Sequence, residues 1–361
     1  MNNTLLKTNV ERLQASLENA PFDVLHVTNL VNCQWLSGFT GSSCSVFVSP
    51  TKAVFVTDSR YKVQSETEVQ GLEVVWHQSP KTSEQMWEEV LASLGAKTVG
   101  FEDSQTVARL ARTKELLPTY QWVQASDLIK PLRMRKTPDE ITRIKAACVL
   151  ADKCLEHVQR MLQPGISEMD ISLDIEFFFR RQGAVISFEP IVASGPNSAK
   201  PHGHATERKL EHGDFVTLDL GGKLNGYCSD ITRTFVIGDA SPRHVEIYNQ
   251  VLRAETECCD LCVIGAGGKE IDAHARAVLA EKGLDGYFGH GLGHGLGRDV
   301  HDFGSLSPSS SDTLAEGMVF TVEPGVYIEG FGGVRVEDDV LVTANGPEIL
   351  THFPKGLTVV G

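Results

Sequence analysis

Two stretches of this chain, offset by 104 residues, follow one plan, and that internal repeat limits the fold more than any other feature. A long helix capped at Thr137 runs to Pro164-Gly165. A second helix starts at Ser167 and stops at Gly183, and a polar stretch then leads to a strand ending in Asp219. The later copy opens at Ser241-Pro242, breaks at Gly265-Ala266-Gly267-Gly268, runs a second helix to Gly283 and reaches a strand ending in Glu323. The steps from Thr137 to Ser241 and from Asp219 to Glu323 are both 104 residues. The first cap is chemically legible: Thr137 can accept from the first turn, Pro138 suits that turn, and Glu140 can bond back to the cap. Two helix-helix-hairpin units with matched acids imply pseudo-two-fold halves whose sheets meet over one site.

Ahead of the repeat, the first 130 or so residues alternate apolar strands (DVLHVTN, SVFVSP, AVFVTD, LEVVWH, KTVGFED) with helical patterns such as MWEEVLASLG. This is an α/β pattern. The boundary is expected near residue 131, separating an α/β domain over 1–131 from an α+β domain over 132–361. A chain of 361 residues that is 41% hydrophobic can fill both cores.

Charge excludes several partners. Acidic residues outnumber basic ones by 47 to 33, for a net charge of −14, so neither a nucleic acid nor an anionic membrane is an expected partner. MNNTLLKTNVERLQ turns polar directly after Leu5 and Leu6, and no stretch approaches the roughly 18 apolar residues of a bilayer span. A soluble, cytoplasmic protein is the expectation. Its eight cysteines are scattered, which favours free thiols. Only Cys259 and Cys262 form a C-x-x-C pair; they fall in an amphipathic helical run with no second pair, and belong to the core.

The chemistry-bearing residues cluster in two hairpins. In FVTLDLGGKLNGYCSDITRTFVI, the two-residue period puts Phe215, Thr217 and Asp219 on one face, and Cys228, Asp230, Thr232 and Thr234 on one face of the return around Asn225-Gly226. Asp219 and Asp230 therefore share a face, opposite or diagonal. Two exposed acids on a solvent face would explain this hairpin alone. In MVFTVEPGVYIEGFGGVRVEDDVLV, Thr321 and Glu323 oppose the Met318, Phe320 and Val322 face, while Arg335 and Glu337 alternate with Val334 and Val336. Four carboxylates on related hairpins repel unless a cation lies among them. Arg335 alone cannot neutralise four, whereas a pair of divalent metals with bridging carboxylates can.

GHGLGHGLGRDVHD adds His290, His294 and His301 among five alternating glycines. Each histidine alone reads as a packed or surface residue; three beside four acids read as site residues. No Glu follows His290, so the zincin pattern is absent, as are a P-loop, G-x-G-x-x-G and G-x-S-x-G. KPHGHAT offers His202 and His204, between which spacing does not choose.

These residues, with Asn32-Cys33-Gln34-Trp35-Leu36-Ser37-Gly38-Phe39-Thr40-Gly41-Ser42 and Thr57-Asp58-Ser59-Arg60-Tyr61 in the first domain, make the chain resemble the pita-bread metallopeptidases, in the branch of aminopeptidase P and prolidase. The resemblance covers nearly the whole length. Methionine aminopeptidases lack the first domain, and creatinase lacks the ligand set. Carried over by position, the resemblance implies five metal ligands: Asp219, Asp230, His294, Glu323 and Glu337, with Asp230 and Glu337 bridging. It implies helper residues His202, His290, His301 and Arg335, with Glu323 also moving a proton. The expected cofactor is two divalent ions per chain, Mn²⁺ first and Co²⁺ or Zn²⁺ as alternatives, holding a bridging hydroxide that attacks the peptide.

The substrates so implied are peptides with proline at the second position. Prolidases usually carry an arginine for the dipeptide carboxylate between the third histidine and the next glutamate strand. DFGSLSPSSSDTLAEG has no basic residue, so an Xaa-Pro aminopeptidase is expected ahead of an Xaa-Pro dipeptidase. A non-catalytic peptide-binding module ranks below both because all five ligand positions are kept. A homodimer is compatible with the resemblance.

Overall fold

Strands whose residues are apolar on both sides need cover on both faces, and the first part of the chain supplies it. The computed structural model describes residues 3–125 and 128–361, with side chains from Leu6 onward. The chain divides into two compact units, Met1–Arg133 and Met134–Gly361.

In the first unit α1 (Asn3–Leu17), β1 (Val24–Val27), α2 (Leu30–Ser37), β2 (Ser45–Val48), β3 (Ala53–Asp58), α3 (Lys62–Glu68), β4 (Glu73–His77), α4 (Ser83–Ser93), β5 (Thr98–Phe101), α5 (Val107–Leu116) and β6 (Gln121–Gln124) follow in order. One sheet, β4-β3-β2-β1-β5-β6, holds all six strands. Five are the apolar runs of the sequence; β6 went unrecognised because glutamines flank its Trp122-Val123 pair. Leu25, Val27, Val46 and Val48 pack against Leu13, Trp35 and Leu36 of α1 and α2. Val24, Phe47, Val54 and Val99 pack on the other face against Trp87, Val90 and Leu91 of α4. His26 shares that second face, fully buried, its ring stacked 4.2 Å from Phe47 and edge-on to Trp87 at 4.5 Å.

The short α6 (Lys130–Met134) spans the boundary, and the second unit then runs through its plan twice. The first pass has α7 (Pro138–Val158), α8 (Glu168–Arg181), β7 (Val185–Ile186), β8 (Ile191–Ser194), β9 (Phe215–Leu220), β10 (Gly222–Leu224), β11 (Tyr227–Cys228) and β12 (Ile231–Ile237). The second has α9 (Pro242–Asp260), α10 (Gly268–Ala280), β13 (Gly293–Gly295), β14 (Asp302–Leu306), β15 (Val319–Val322), β16 (Gly325–Ile328), β17 (Gly332–Arg335), β18 (Asp338–Thr343), β19 (Gly346–Ile349) and β20 (Thr358–Val360). The starts of α7 and α9, like those of β9 and β15, lie 104 residues apart. Thr137 and Ser241 both form reciprocal caps, with Glu140 and His244 as the returning side chains.

Two sheets result: β20-β12-β9-β8, in which the first half's strands are joined by the last strand of the second, and β14-β13-β15-β18-β19. The two meet where Glu337 N donates to Thr232 O at 3.2 Å. Both expected hairpins are more broken than the alternation suggests. Asn225 and Gly226, at φ 51° and 83°, turn only the small β10–β11 pair, while β9 and β12 form the long ladder that sets Asp219 opposite Thr232. Asp230 is thus diagonal to Asp219. In the second half β15 returns as β18, and β16–β17 forms a separate ribbon. That ribbon closes on the 195–199 segment because Gly333 has no side chain: a Cβ there would lie 2.0 Å from the Ser198 carbonyl oxygen. Cys258, Cys259 and Cys262 are free and buried in the core between α9 and the second sheet. Among the described residues no helix is long and apolar enough to cross a membrane.

Burial lowers the His26 pKa from 6.5 to about 3, with Arg109 adding to the effect. The unfolded chain takes up a proton below pH 6.5 that the folded unit refuses, so stability present above that pH is lost as pH falls towards 3. All four tryptophans, Trp35, Trp76, Trp87 and Trp122, belong to this unit, and their fluorescence follows its unfolding in urea. Between pH 7 and 5 the wild type should lose about 2 kcal/mol more than His26→Leu. Equal losses would show that His26 is not the titrating group.

Candidate metal centre

Asp219 reaches the site from the end of β9, and Asp230 from just before β12. The turn between the two ladders of the second half presents Glu323 after β15 and Glu337 before β18. A set of threonines fixes the seam. Thr232 Oγ1 donates to Glu337 Oε2 at 2.6 Å, Thr234 Oγ1 donates to Arg335 O at 3.0 Å, and Thr217 Oγ1 donates to Gly333 O at 3.2 Å. His294, on β13, is held by its own amide donating to Thr321 Oγ1 at 3.1 Å.

One donor atom from each of Asp230, His294 and Glu337 lies within 4.8 Å of the other two. His294 Nε2 is 3.6 Å from both Asp230 Oδ2 and Glu323 Oε1. Its Nδ1 faces the Gly295 carbonyl at 3.1 Å and must carry the proton there. Nε2 therefore turns a lone pair towards two carboxylates. Burial, then the neighbouring His301, pushes the His294 pKa down to about 4, so the ring stays neutral near pH 7. Burial and then the other acids raise Asp230 and Glu337 well above the carboxylate range, and burial lifts Glu323 to about 8. Asp219 Oδ1 and Asp230 Oδ1 are buried without a partner. Lone pairs aimed at one another, orphaned carboxylate oxygens and an imidazole nitrogen form a donor set that divalent cations fit.

Arg335 occupies one flank. Its Nη2 donates to Asp219 Oδ2 at 2.5 Å and its Nη1 to Tyr327 Oη at 2.7 Å, and Tyr327 in turn meets His290 Nε2 at 2.9 Å. His290 Nδ1 donates to Gly291 O at 2.8 Å, so its Nε2 accepts from the tyrosine. Behind the acids, Asp339 Oδ2 accepts from the Asp230 amide at 3.0 Å. Arg233 donates to the Glu337 carbonyl at 2.6 Å, to Asp338 at 2.8 Å and to the Phe353 carbonyl at 2.6 Å. Lys355 joins Asp338 to Glu255 at 2.7 and 3.0 Å.

All nine residues singled out in the sequence (His202, Asp219, Asp230, His290, His294, His301, Glu323, Arg335 and Glu337) line one cleft of about 520 Å³, with Phe188, Glu189 and His204 among its other walls. His202, His204 and His301 are exposed. The His301 ring stands at right angles to His294, 4.2 Å away. Sequence reasoning did not find Tyr327, Asp339 or Arg233. Tyr327 lies on the same alternation as Glu323 and carried a detectable signal. The other two act through contacts more than 100 residues distant in sequence and carried none.

Without metal, Glu323 protonates more readily folded than unfolded, because its pKa of about 8 exceeds the ordinary 4.5. Its stability contribution is present below pH 4.5 and lost as pH rises to about 8. In differential scanning calorimetry, chelator-treated protein should show a falling transition temperature from pH 5 to 8. Mn²⁺ should remove that fall, and Glu337→Gln should soften it while abolishing the Mn²⁺ effect. A metal-free transition independent of pH would contradict the electrostatic picture.

Residues 142–344 match metallopeptidase family M24, and residues 9–135 match the creatinase/prolidase N-terminal domain. The Xaa-Pro dipeptidase of Pyrococcus furiosus is 33% identical over 98% of this chain and 100% of its own. A solved Xaa-Pro dipeptidase from Bacillus anthracis superposes with a TM-score of 0.94 at 41% identity, covering 98% of this chain and all of that one. An X-Pro aminopeptidase from Thermotoga maritima gives 0.89 at 33%, covering 96% and 100%. The double pass of helices and sheets around one acidic cleft is the pita-bread fold, and the chain belongs to metallopeptidase family M24, in the branch that carries a creatinase/prolidase-type N-terminal domain.

Proposed function

We propose that this chain is an Xaa-Pro dipeptidase that works with two divalent ions. The observation that supports it most is the buried convergence of Asp230, His294 and Glu337, with Asp219 and Glu323 beside them, in a chain whose full length matches proteins named for Xaa-Pro dipeptide cleavage. In this reading Asp219, Asp230, His294, Glu323 and Glu337 would hold the ions. Two bound ions would lower the pKa of a water towards neutrality and polarise the scissile carbonyl. Mn²⁺ suits a carboxylate-rich set with one imidazole, and eight unpaired cysteines suit work in the cytoplasm.

The remaining roles belong to the chain's own groups. Glu323 carries a proton on its carboxylate from the attacking water to the leaving proline nitrogen. His202 and His301, exposed in the cleft, donate to the carbonyl oxygen as negative charge develops. His290, its ring held by Tyr327 Oη at 2.9 Å, walls the side that takes the proline ring, a residue that needs no partner for an amide N–H it lacks. Arg335, committed to Asp219 and Tyr327, holds that wall against the acids.

The expectation of an aminopeptidase rested on the cation-free segment 302–317. That reading weighed one loop, whereas proteins named Xaa-Pro dipeptidase match this chain over nearly its whole length. Release of the first residue from Xaa-Pro-Yaa remains the second reading, favoured by that segment and by the likeness to the Thermotoga aminopeptidase.

Two measurements test these assignments. His294→Ala should lose bound metal, while His301→Ala should keep it and lower kcat by roughly a hundredfold; equal metal loss in both would overturn the division of roles. A Leu-Pro dipeptide should be cleaved with kcat/KM at least equal to that of Leu-Pro-Ala. A tripeptide advantage of about tenfold, near 1.4 kcal/mol of transition-state binding, would move the assignment to the aminopeptidase.

A further inference from the structure

A second crevice lies within the N-terminal unit. β1 and β5 are parallel neighbours, yet the helices that follow them leave on opposite faces. Thr28-Asn29 leads into α2, which packs on the Leu25 and Val27 side. Residues 102–106 lead into α5, whose Arg109 lies over the Trp87 ring at 4.8 Å on the Val24 and Phe47 side. In open α/β sheets such a divergence opens a crevice beyond the carboxyl ends of the strands, the place where ligands bind. Here it is a cavity of about 330 Å³, lined by Thr28, Asn29, Ser45, Trp87, Thr106 and Arg109 together with Cys44, Ser104 and Gln105.

Three observations give that cavity a chemical preference. Ser45 is only 3% exposed, stands on the same face of β2 as Phe47, and its Oγ has no partner. α5, ten residues long, starts at the rim; its cap Thr106 takes the Arg109 amide and leaves those of Val107 and Ala108 without a protein acceptor among the described residues. The Arg109 guanidinium is ion-paired with Glu84 at 3.6 Å, too long for a hydrogen bond, so its N–H groups keep donor capacity. The other nearby acid, Glu102, is consumed by the amides of Thr28 and Asn29 at 2.5 and 2.7 Å and by Asn32 Nδ2 at 2.6 Å. A helix start, a cation and a buried hydroxyl short of a partner converge beside a carboxylate whose oxygens are taken up by other donors.

We propose that this crevice binds a small molecule bearing an oxyanion, carboxylate or phosphate, with its oxygens on Arg109, the first turn of α5 and Ser45, and its body against Trp87. The site is independent of the catalytic reading.

Isothermal titration of the full-length holoenzyme with inorganic phosphate and, separately, with malonate tests it, alongside crystals soaked in each. Phosphate also has access to the metal centre, so the informative quantity is binding that the crevice variants remove. Arg109→Gln should weaken it at least tenfold and Ser45→Ala several-fold, with matching density in the crevice. Phosphate alone identifies a phosphorylated ligand, malonate alone a carboxylic acid, and both the shared chemistry. Binding of neither probe, or binding undiminished in both variants, overturns the proposal. Arg109 is half exposed, and should its variant fail to fold, Ser45→Ala carries the test.

Discussion

Carboxylates brought together out of water repel one another, and in this protein everything around the cleft serves to hold them there nonetheless. Removing a charge from water costs several kcal/mol per ion after relaxation, and Asp230 and Glu337 are both almost completely buried. Flexible loops would let such groups swing apart to solvent. These acids instead stand at the ends of ladders, stitched across the seam by Thr217, Thr232 and Thr234, with Arg335 on one side and Arg233 on the other. The frame holds the acids in a geometry that a metal ion then stabilises, which is preorganisation bought from the fold.

The Arg233–Asp338–Lys355–Glu255 chain shows how far that frame extends. Asp338 follows Glu337 directly and points the opposite way, into a buried cluster where two cations meet two acids. Alternation along the strand thus divides consecutive acids between two tasks: Glu337 faces the cleft and Asp338 anchors the strand from behind. Asp339 faces the first side again and takes the Asp230 amide.

Local rules reached the caps, the five apolar strands and the faces of Asp219, Asp230, Glu323 and Glu337, since periodicity and capping chemistry operate over a few residues. They did not reach the Thr232 to Glu337 bridge or the Arg233 cluster, which arise from packing between segments about 100 residues apart, nor the local β16–β17 ribbon, whose strands leave the main sheet. β6 was lost for a different reason: at the edge of its sheet it needs little apolar content. The five-ligand set emerged only by resemblance, because spacing alone did not choose His294 over His290 and His301 in the same glycine-rich run. The substrate-length expectation rested on one loop's composition and is outweighed by the full-length likeness to proteins named Xaa-Pro dipeptidase.

Arg233 also ties the acidic sheet to a late part of the second unit. Its bonds end on the Phe353 carbonyl, and β20, at residues 358–360, pairs in parallel with β12 in the very sheet that carries Asp219. The first unit has every strand it needs once residue 124 is available. The acidic sheet receives its outer strand more than 120 residues after β12 has been made. A nascent chain therefore exposes a finished N-terminal unit while the peptide-cleaving half is still without its last strand. The sheet that carries Asp219 is thus completed by a strand far removed in sequence from the hairpin it supports, and its outer edge closes last.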